Sequence, residues 1–440
     1  MRIPRGREVV RTPGENFSTR ILVLAAAALV WLAGVAIASG QLTLGPFELR
    51  NHPNVSYMTA PVSDPVVRLR ERIRRGEVRL QAEPTRGYLR SLLAALDVSP
   101  ESQVLVFSKT SFQAPRINPQ NPRALYFNDQ VAVGWVRGGE VLELAVQDPA
   151  MGTVFYTLAQ PGVADGEPRF TRNNVTCVQC HTSDTTMNVP GWFVGSVYPE
   201  KSGMVAYGPA FTTDHRSPFE IRWGGWYVTG RHAGTRHLGN AVLSDSTDFG
   251  SMVTPATVHV ESLAGRFDPE GYLSPHSDIV ALLVLEHQAR MLNHITRLGW
   301  EARMGKDAGR PLEHAASDLV DYLLFVHEAP LPGPIVGPTA FSEIFARQGP
   351  RDGKGRSLRE LQLTDRLMRY PCSYLIYSEP FDALPADAKA LVYDRLWAIL
   401  SGAETGAKYA GLTAAVREEI LEILRDTKKD LPQYYFRGTA

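Results

Sequence analysis

Five consecutive residues near the middle of the chain have types and a spacing that suit chemistry: Cys177, Val178, Gln179, Cys180 and His181. On a helix, Cys177 and Cys180 lie three positions apart and His181 lies four positions after Cys177, so all three side chains share one side. Two thiols and an imidazole in the order Cys-x-x-Cys-His form the attachment signature of haem c. The sequence therefore predicts one covalent haem c, with Cys177 and Cys180 forming thioethers and His181 as proximal axial ligand of the iron.

Two other uses of this cysteine pair stay open. A redox dithiol of the thioredoxin type needs its Cys-x-x-Cys where a strand runs into a helix, whereas residues 167–176 are typical of a loop. A zinc site would join Cys177 and Cys180 to His232 and His237, whose spacing gives a second ligand pair. The long separation of the two pairs along the chain, and the presence of His181, favour haem.

The motif resembles that of the c-type cytochromes, but the chain lacks the terminal helices of their small all-α module. Residues 222–230 (RWGGWYVTG) and 369–377 (RYPCSYLIY) extend the resemblance to a group of large bacterial single-haem proteins that contain a cytochrome c domain. This resemblance implies a bound haem and no particular activity.

The composition is that of an ordinary globular protein: 44% of the 440 residues are hydrophobic and 21% are charged. Lys plus Arg and Asp plus Glu both total 46, so no net field favours nucleic acid or anionic partners. With the motif pair bound to haem, Cys372 has no cysteine left for an intramolecular disulfide, and we interpret it as a buried small hydrophobe.

The N-terminus predicts export. Five arginines within residues 1–20 precede an uncharged run over residues 21–38. A basic flank before an apolar run stays in the cytoplasm and sends the following chain across the membrane, and 18 helical residues span about 27 Å. We expect an uncleaved single-pass anchor in a bacterial cell membrane, with the C-terminal domain in the periplasm or outside. Cleavage near Ala38, which would leave a secreted periplasmic protein, is the alternative. Haem c is attached outside the cytoplasmic membrane in bacteria, so the predicted export agrees with the motif.

The rest of the chain predicts an α+β fold with five regions. Residues 1–20 form a cytoplasmic basic head, 21–38 the membrane anchor or signal segment, and 39–62 a tether. Residues 63–270 form a β-rich haem-binding half, in which two amphipathic helices precede an antiparallel meander between residues 103 and 160. Residues 271–440 form a helical half packed on it, beginning with a helix capped by Ser274 with Pro275 at its first position. Further helices are predicted at residues 312–328, 339–347, 386–400 and 413–426.

The sixth ligand of the iron separates electron transfer from catalysis, because a strong ligand closes the iron and an absent one leaves room for substrate. His232 and His237 are the leading candidates for this distal position, and Met204 and Met187 are further ones. A second set, His287, Met291 and His294, shares one face of the first helix after residue 275 and would suit the haem or copper. An ordinary packing role is the alternative for every one of these side chains.

These observations favour a membrane-tethered monohaem cytochrome that transfers single electrons to or from a redox partner protein of an electron-transport chain. The alternative is a haem c oxidoreductase, peroxidase-like or oxidising a small substrate at an open distal site, with a haem-based sensor as a third reading. Whether the protein is an enzyme depends on the sixth ligand.

Overall fold

The computed structural model describes residues 46–161, 168–244 and 248–436. Within this part of the chain, seven strands pair antiparallel into one sheet and two form a separate ribbon. The sheet contains β1 (Val104–Val106), β2 (Arg123–Phe127), β3 (Val131–Trp135), β4 (Val141–Asp148), β5 (Gly152–Ala159), β6 (Phe170–Arg172) and β9 (Trp226–Tyr227). The ribbon contains β7 (Val194–Ser196) and β8 (Phe211–Thr213). The order in the sheet is β6-β5-β4-β3-β2-β1-β9, so the predicted meander is present and two later strands, β6 and β9, extend it at its edges.

The described residues also contain eleven α-helices. They are α1 (Pro46–Asn51), α2 (Pro65–Arg74), α3 (Leu89–Ala95), α4 (Thr176–His181), α5 (Pro255–Val258), α6 (Ile279–Met304), α7 (Leu312–Leu323), α8 (Phe341–Arg347), α9 (Glu379–Asp382), α10 (Ala386–Leu400) and α11 (Ala414–Thr427). An antiparallel sheet followed by helices is the α+β arrangement that the sequence predicts.

Side chains alternate between the two faces of the sheet, as the pleat requires. Val133 and Leu144 belong to one face, which packs in the same apolar cluster as residues of α2 and α3. Ala132 and Ala145 belong to the opposite face and pack against the larger cluster that contains α6. Hairpin turns fix the register: Asn128 Oδ1 accepts hydrogen bonds from the amides of Gln130 and Val131 at 3.0 and 2.9 Å.

Helix α6 is the long element of the helical half, with 26 residues. It begins at Ile279, so the prediction of a cap at Ser274 is wrong. Asp278 Oδ1 accepts hydrogen bonds from the amides of Val280 and Ala281 at 2.7 and 3.2 Å. Gln103 Nε2 donates to the Ser274 carbonyl at 2.7 Å, which helps to hold the predicted first turn in a loop.

The other predicted helices are found with small changes at their ends. α10 begins and ends where predicted, whereas α7 ends at Leu323 because Phe325 takes the left-handed conformation, with φ of 56°. The glycine- and aromatic-rich region after Pro190 contains only β7, β8 and β9 as strands. All described residues belong to one compact unit.

The predicted basic head and membrane segment, residues 1–38, lie outside the described residues. Among the residues that are described, no helix is both long and apolar enough to cross a membrane.

Candidate haem-binding site

The Cys-x-x-Cys-His motif forms the short helix α4, directly after the edge strand β6 of the sheet. Asn173 Oδ1 accepts a hydrogen bond from the Thr176 amide at 3.1 Å and so satisfies a donor at the start of the helix. Cys177 is half-buried, Cys180 is exposed, and both are free thiols. The segment before the motif contains a three-residue strand, so it is more ordered than the loop that the sequence predicts.

Gly191 fixes His181 through two hydrogen bonds. The His181 Nδ1 atom lies 2.8 Å from the Gly191 carbonyl oxygen, and the Gly191 amide donates to the His181 carbonyl at 3.0 Å. A carbonyl can only accept, so Nδ1 carries the proton and Nε2 presents its lone pair. This is the tautomer and the second-shell contact typical of a metal-binding histidine.

Asn293 of α6 holds the Gly191 segment in turn. Its Nδ2 atom donates to the Trp192 carbonyl at 2.7 Å, and its Oδ1 atom accepts from the Trp192 amide at 3.2 Å. A Cβ atom at Gly191 would lie 2.1 Å from Asn293 Oδ1, so any larger residue there would displace the Asn293 side chain. Sequence reasoning missed Asn293; a polar residue on the apolar face of a predicted helix was the available signal.

Two phenylalanines enclose the His181 ring. The ring centroids of Phe155 and Phe193 lie 4.9 and 5.0 Å from that of His181. Burial lowers the pKa of His181, the bond to Gly191 opposes this shift, and the Arg123 cation lowers the pKa further. Burial therefore favours the neutral imidazole, which is the form that binds a metal ion.

The three motif residues line a cavity of about 490 Å³ between α4, the sheet and α6. This volume lies in the range of small-molecule and cofactor sites. The wall is mostly apolar, with aromatic side chains prominent: Phe112, Phe127, Phe155, Trp192, Phe193 and Trp226. Leu285 and Ala289 of α6 close the side opposite the sheet.

Small side chains make one wall of the cavity flat. Ala132 pairs with Ala145 across β3 and β4, and Gly134 pairs with Leu125 on the neighbouring strand. All four residues line the cavity. A Cβ atom at Gly134 would lie 3.3 Å from Leu125 Cδ2, so even one added methyl group would crowd this wall of the cavity. A flat apolar wall beside two thiols and a neutral imidazole fits a planar macrocycle such as haem.

One corner of the cavity is polar. Arg123 Nη1 of β2 lies 2.7 Å from Glu143 Oε2 of β4, and both side chains are mostly buried. Ser111 Oγ and Gln113 Nε2 donate to the other carboxylate oxygen, Glu143 Oε1, at 2.7 and 2.8 Å. Lys109 lies on the same lining.

None of the four distal candidates lies on the described lining of this cavity. His232 donates from Nε2 to the Val258 carbonyl at 2.9 Å. His237 is fully buried, and burial lowers its pKa to about 3. The centroid of its ring lies 5.3 Å from the ring centroids of both Trp223 and His232. The structure thus brings the two histidines together, but in a packed cluster away from the cavity lining.

The two methionine candidates lie elsewhere for different reasons. Met187 ends a short 3-10 turn in the left-handed conformation, with φ of 62°, and is buried. Met204 is 51% exposed on the surface. Their short sequence separation from His181 therefore does not bring either thioether to the cavity.

The second constellation on α6 is part of a hydrogen-bonded core. His287 Nδ1 lies 2.8 Å from His215 Nδ1, and His287 Nε2 lies 2.7 Å from Ser373 Oγ. Burial lowers the pKa of His287 to about 3 and that of His294 well below its ordinary value. In the described residues, no three His, Cys, Asp or Glu side chains converge to hold a metal ion.

Strand β6 leads into α4, so the loop argument against a redox dithiol does not hold, but electrostatics disfavours this alternative. Burial raises the pKa of Cys177 to about 11, and the Glu143 and Cys180 charges act in the same direction. Reactive dithiols need a lowered thiol pKa. Cys372, as expected, is a fully buried thiol.

Comparison with known proteins identifies no relative: no family model matches the chain, and no curated protein or solved structure is significantly similar to it.

Proposed function

We propose that this protein is an exported monohaem c-type cytochrome, with one haem c bound covalently to Cys177 and Cys180 and His181 as the proximal ligand. The observation that carries the proposal is the pair of hydrogen bonds between His181 and Gly191, beside a cavity with a flat apolar wall. When bound, haem supplies a one-electron ferrous/ferric couple. The residues of this chain hold it, orient the axial imidazole and exclude water from one face.

Electron transfer is the function we favour. Helix α4 is accessible to solvent at the cavity, since the lining residues Thr176, Gln179 and Cys180 are all exposed. Phe112 is 50% exposed beside them and adds apolar surface at the mouth of the cavity. A redox partner protein that docks beside Phe112 and α4 would approach the two motif cysteines. We also propose, from residues 1–38, that the domain is tethered to the outer face of a bacterial cell membrane.

Haem staining of denatured protein tests the covalent attachment. We expect staining of the wild-type chain produced with a haem c maturation system, and none of the double variant Cys177→Ala/Cys180→Ala. Cys372→Ala is the matched control and should stain like the wild type, because Cys372 lies buried outside the cavity lining. An unstained wild-type chain would refute the proposal.

A second function, a haem c oxidoreductase with an open distal position, is favoured by one specific observation. Apart from His181, the described cavity lining contains no histidine and no methionine. Reduced protein that shifts its visible spectrum on addition of carbon monoxide would support this function. A low-spin spectrum that carbon monoxide leaves unchanged would favour the pure electron carrier.

A further inference from the structure

The polar corner of the cavity contains a guanidinium that is only partly neutralised. Both oxygens of Glu143 have partners, because Oε2 accepts from Arg123 Nη1 and Oε1 accepts from Ser111 and Gln113. Within the described chain, the bond from Nη1 to Glu143 is the one hydrogen bond that the Arg123 side chain makes. The Arg123 Nε atom is buried without a partner.

The free donors of Arg123 have the geometry of a fork. Nε–H and one N–H of Nη2 lie side by side in the guanidinium plane and point in the same direction. Together they match the two oxygens of a carboxylate or another oxyanion. Glu143 occupies Nη1 and leaves this edge unused. A buried donor without a partner is destabilising, so a ligand at this edge would remove that penalty as well as add an attraction.

The charge of the lining also suits an anion. The charged side chains on the described lining are Lys109, Arg123 and Glu143, which leaves one positive charge in excess. Arg123 and His181 line the same cavity, so an anion held at Arg123 would share that cavity with the proposed iron ligand.

We propose that Arg123, positioned by Glu143, binds a carboxylate or a similar small oxyanion inside this cavity. Two sources supply that chemistry: a propionate of the bound haem, or a free small anion that enters from solvent. The first source rests on the proposed function, whereas the second requires only the cavity.

The experiment uses haem-loaded protein and two measurements, a calorimetric titration with formate and a spectroelectrochemical determination of the midpoint potential. The variants are Arg123→Gln, Arg123→Lys and Glu143→Gln. Arg123→Lys keeps the charge and loses the fork, so it also serves if Arg123→Gln does not fold. Arg116→Gln is the matched control, because Arg116 pairs with Glu140 on the surface and does not line the cavity.

A free-anion site predicts saturable formate binding to the wild type and roughly tenfold or greater weakening in Arg123→Gln. Glu143→Gln keeps an acceptor that can position Arg123 and removes a nearby negative charge, so it should bind formate more tightly. Arg116→Gln should match the wild type. A propionate site predicts no formate binding in any variant. It predicts instead a lower midpoint potential in Arg123→Gln than in Arg116→Gln, since loss of a nearby cation favours the ferric state.

The proposal is overturned if Arg123→Gln and Arg123→Lys match Arg116→Gln in both measurements. A chain that carries no haem would refute the proposed function and the propionate source together. The formate titration alone would then decide the proposal: binding that depends on Arg123 supports it, and no binding overturns it.

Discussion

Gly191 makes hydrogen bonds with both the side chain and the main chain of His181: its carbonyl oxygen lies 2.8 Å from the imidazole Nδ1, and its amide donates to the His181 carbonyl at 3.0 Å. The motif helix and the segment ten residues later therefore form one unit. Asn293 connects that unit to α6 through two hydrogen bonds with Trp192. The orientation of the imidazole is set by the fold before any ligand binds.

Gly191→Ala should disturb this unit. The added methyl would lie 2.1 Å from Asn293 Oδ1, so the Asn293 side chain must move and its bonds to Trp192 are strained. We expect a loss of about 1–3 kcal/mol in the free energy of unfolding, measured with urea. Gly411→Ala is the control, because a Cβ there meets no atom within 4 Å. Equal stability of the two variants would contradict the role given to this close contact.

A large side chain on the flat wall of the cavity should block haem binding without unfolding the protein. Ala145→Phe places a large ring in the cavity, where about 490 Å³ is free to receive it. We expect far less covalent haem per chain, with the far-ultraviolet circular dichroism of the wild type. Thr157→Phe is the control on the neighbouring strand β5, outside the cavity lining. Normal haem loading of Ala145→Phe would show that the haem lies elsewhere.

The buried ion pair beside α6 should matter far more than a surface pair. Arg222 Nη1 lies 2.8 Å from Glu286 Oε2, and the two side chains are 2% and 0% exposed. Arg222→Met should cost about 3–5 kcal/mol of unfolding free energy, because it leaves the Glu286 carboxylate buried without its cation. Arg347→Met breaks a pair that is 75% and 71% exposed, and should cost less than about 1 kcal/mol. Similar losses by chemical denaturation would contradict this ranking.

Acid should weaken the fold through His237. Burial lowers its pKa to about 3 in the folded protein, with His232 and His259 adding to the shift. In the unfolded chain an imidazole titrates near pH 6.5, so below that pH the unfolded state gains a proton that the folded state does not. The stabilisation from a neutral His237 is present above about pH 6.5 and declines as the pH falls towards 3.

His237→Phe removes this titration and keeps an aromatic ring beside Trp223. The loss of unfolding free energy between pH 8 and pH 5 should be about 2 kcal/mol smaller in the variant than in the wild type. Equal losses, measured by urea unfolding at both pH values, would place the acid sensitivity on other groups.

Local patterns in the sequence predicted much of the fold. The meander from Val104 to Ala159 was visible because apolar residues alternate and turn residues separate the runs, and both signals act within a few positions. The cap of α6 was misplaced because Ser274 and Asp278 are both residue types that suit a helix N-terminus. Gln103, the residue before β1, holds the Ser274 segment in a loop and so favours Asp278 as the cap. Such a contact between distant residues leaves no local trace.

The candidate site likewise combines residues that a local motif predicts with residues that only the tertiary structure brings together. Cys177, Cys180 and His181 form a local motif, so spacing alone was sufficient to propose them. The wall of Ala132, Gly134 and Ala145 depends on strand register, and Asn293 depends on how α6 packs. His232 and His237 were proposed because histidine binds iron, but residue type gives no information on which residues the chain brings to the cavity.

The most direct test of the account is the pyridine haemochrome spectrum of the purified exported domain, produced with a haem c maturation system. We expect one haem per chain, retained after acid-acetone extraction, with the absorption band of a haem carrying two thioethers. His181→Ala should keep the two thioethers but change the spectrum of the native protein, because the axial ligand is lost. Haem that is extracted intact, or no haem, would contradict the assignment of Cys177, Cys180 and His181.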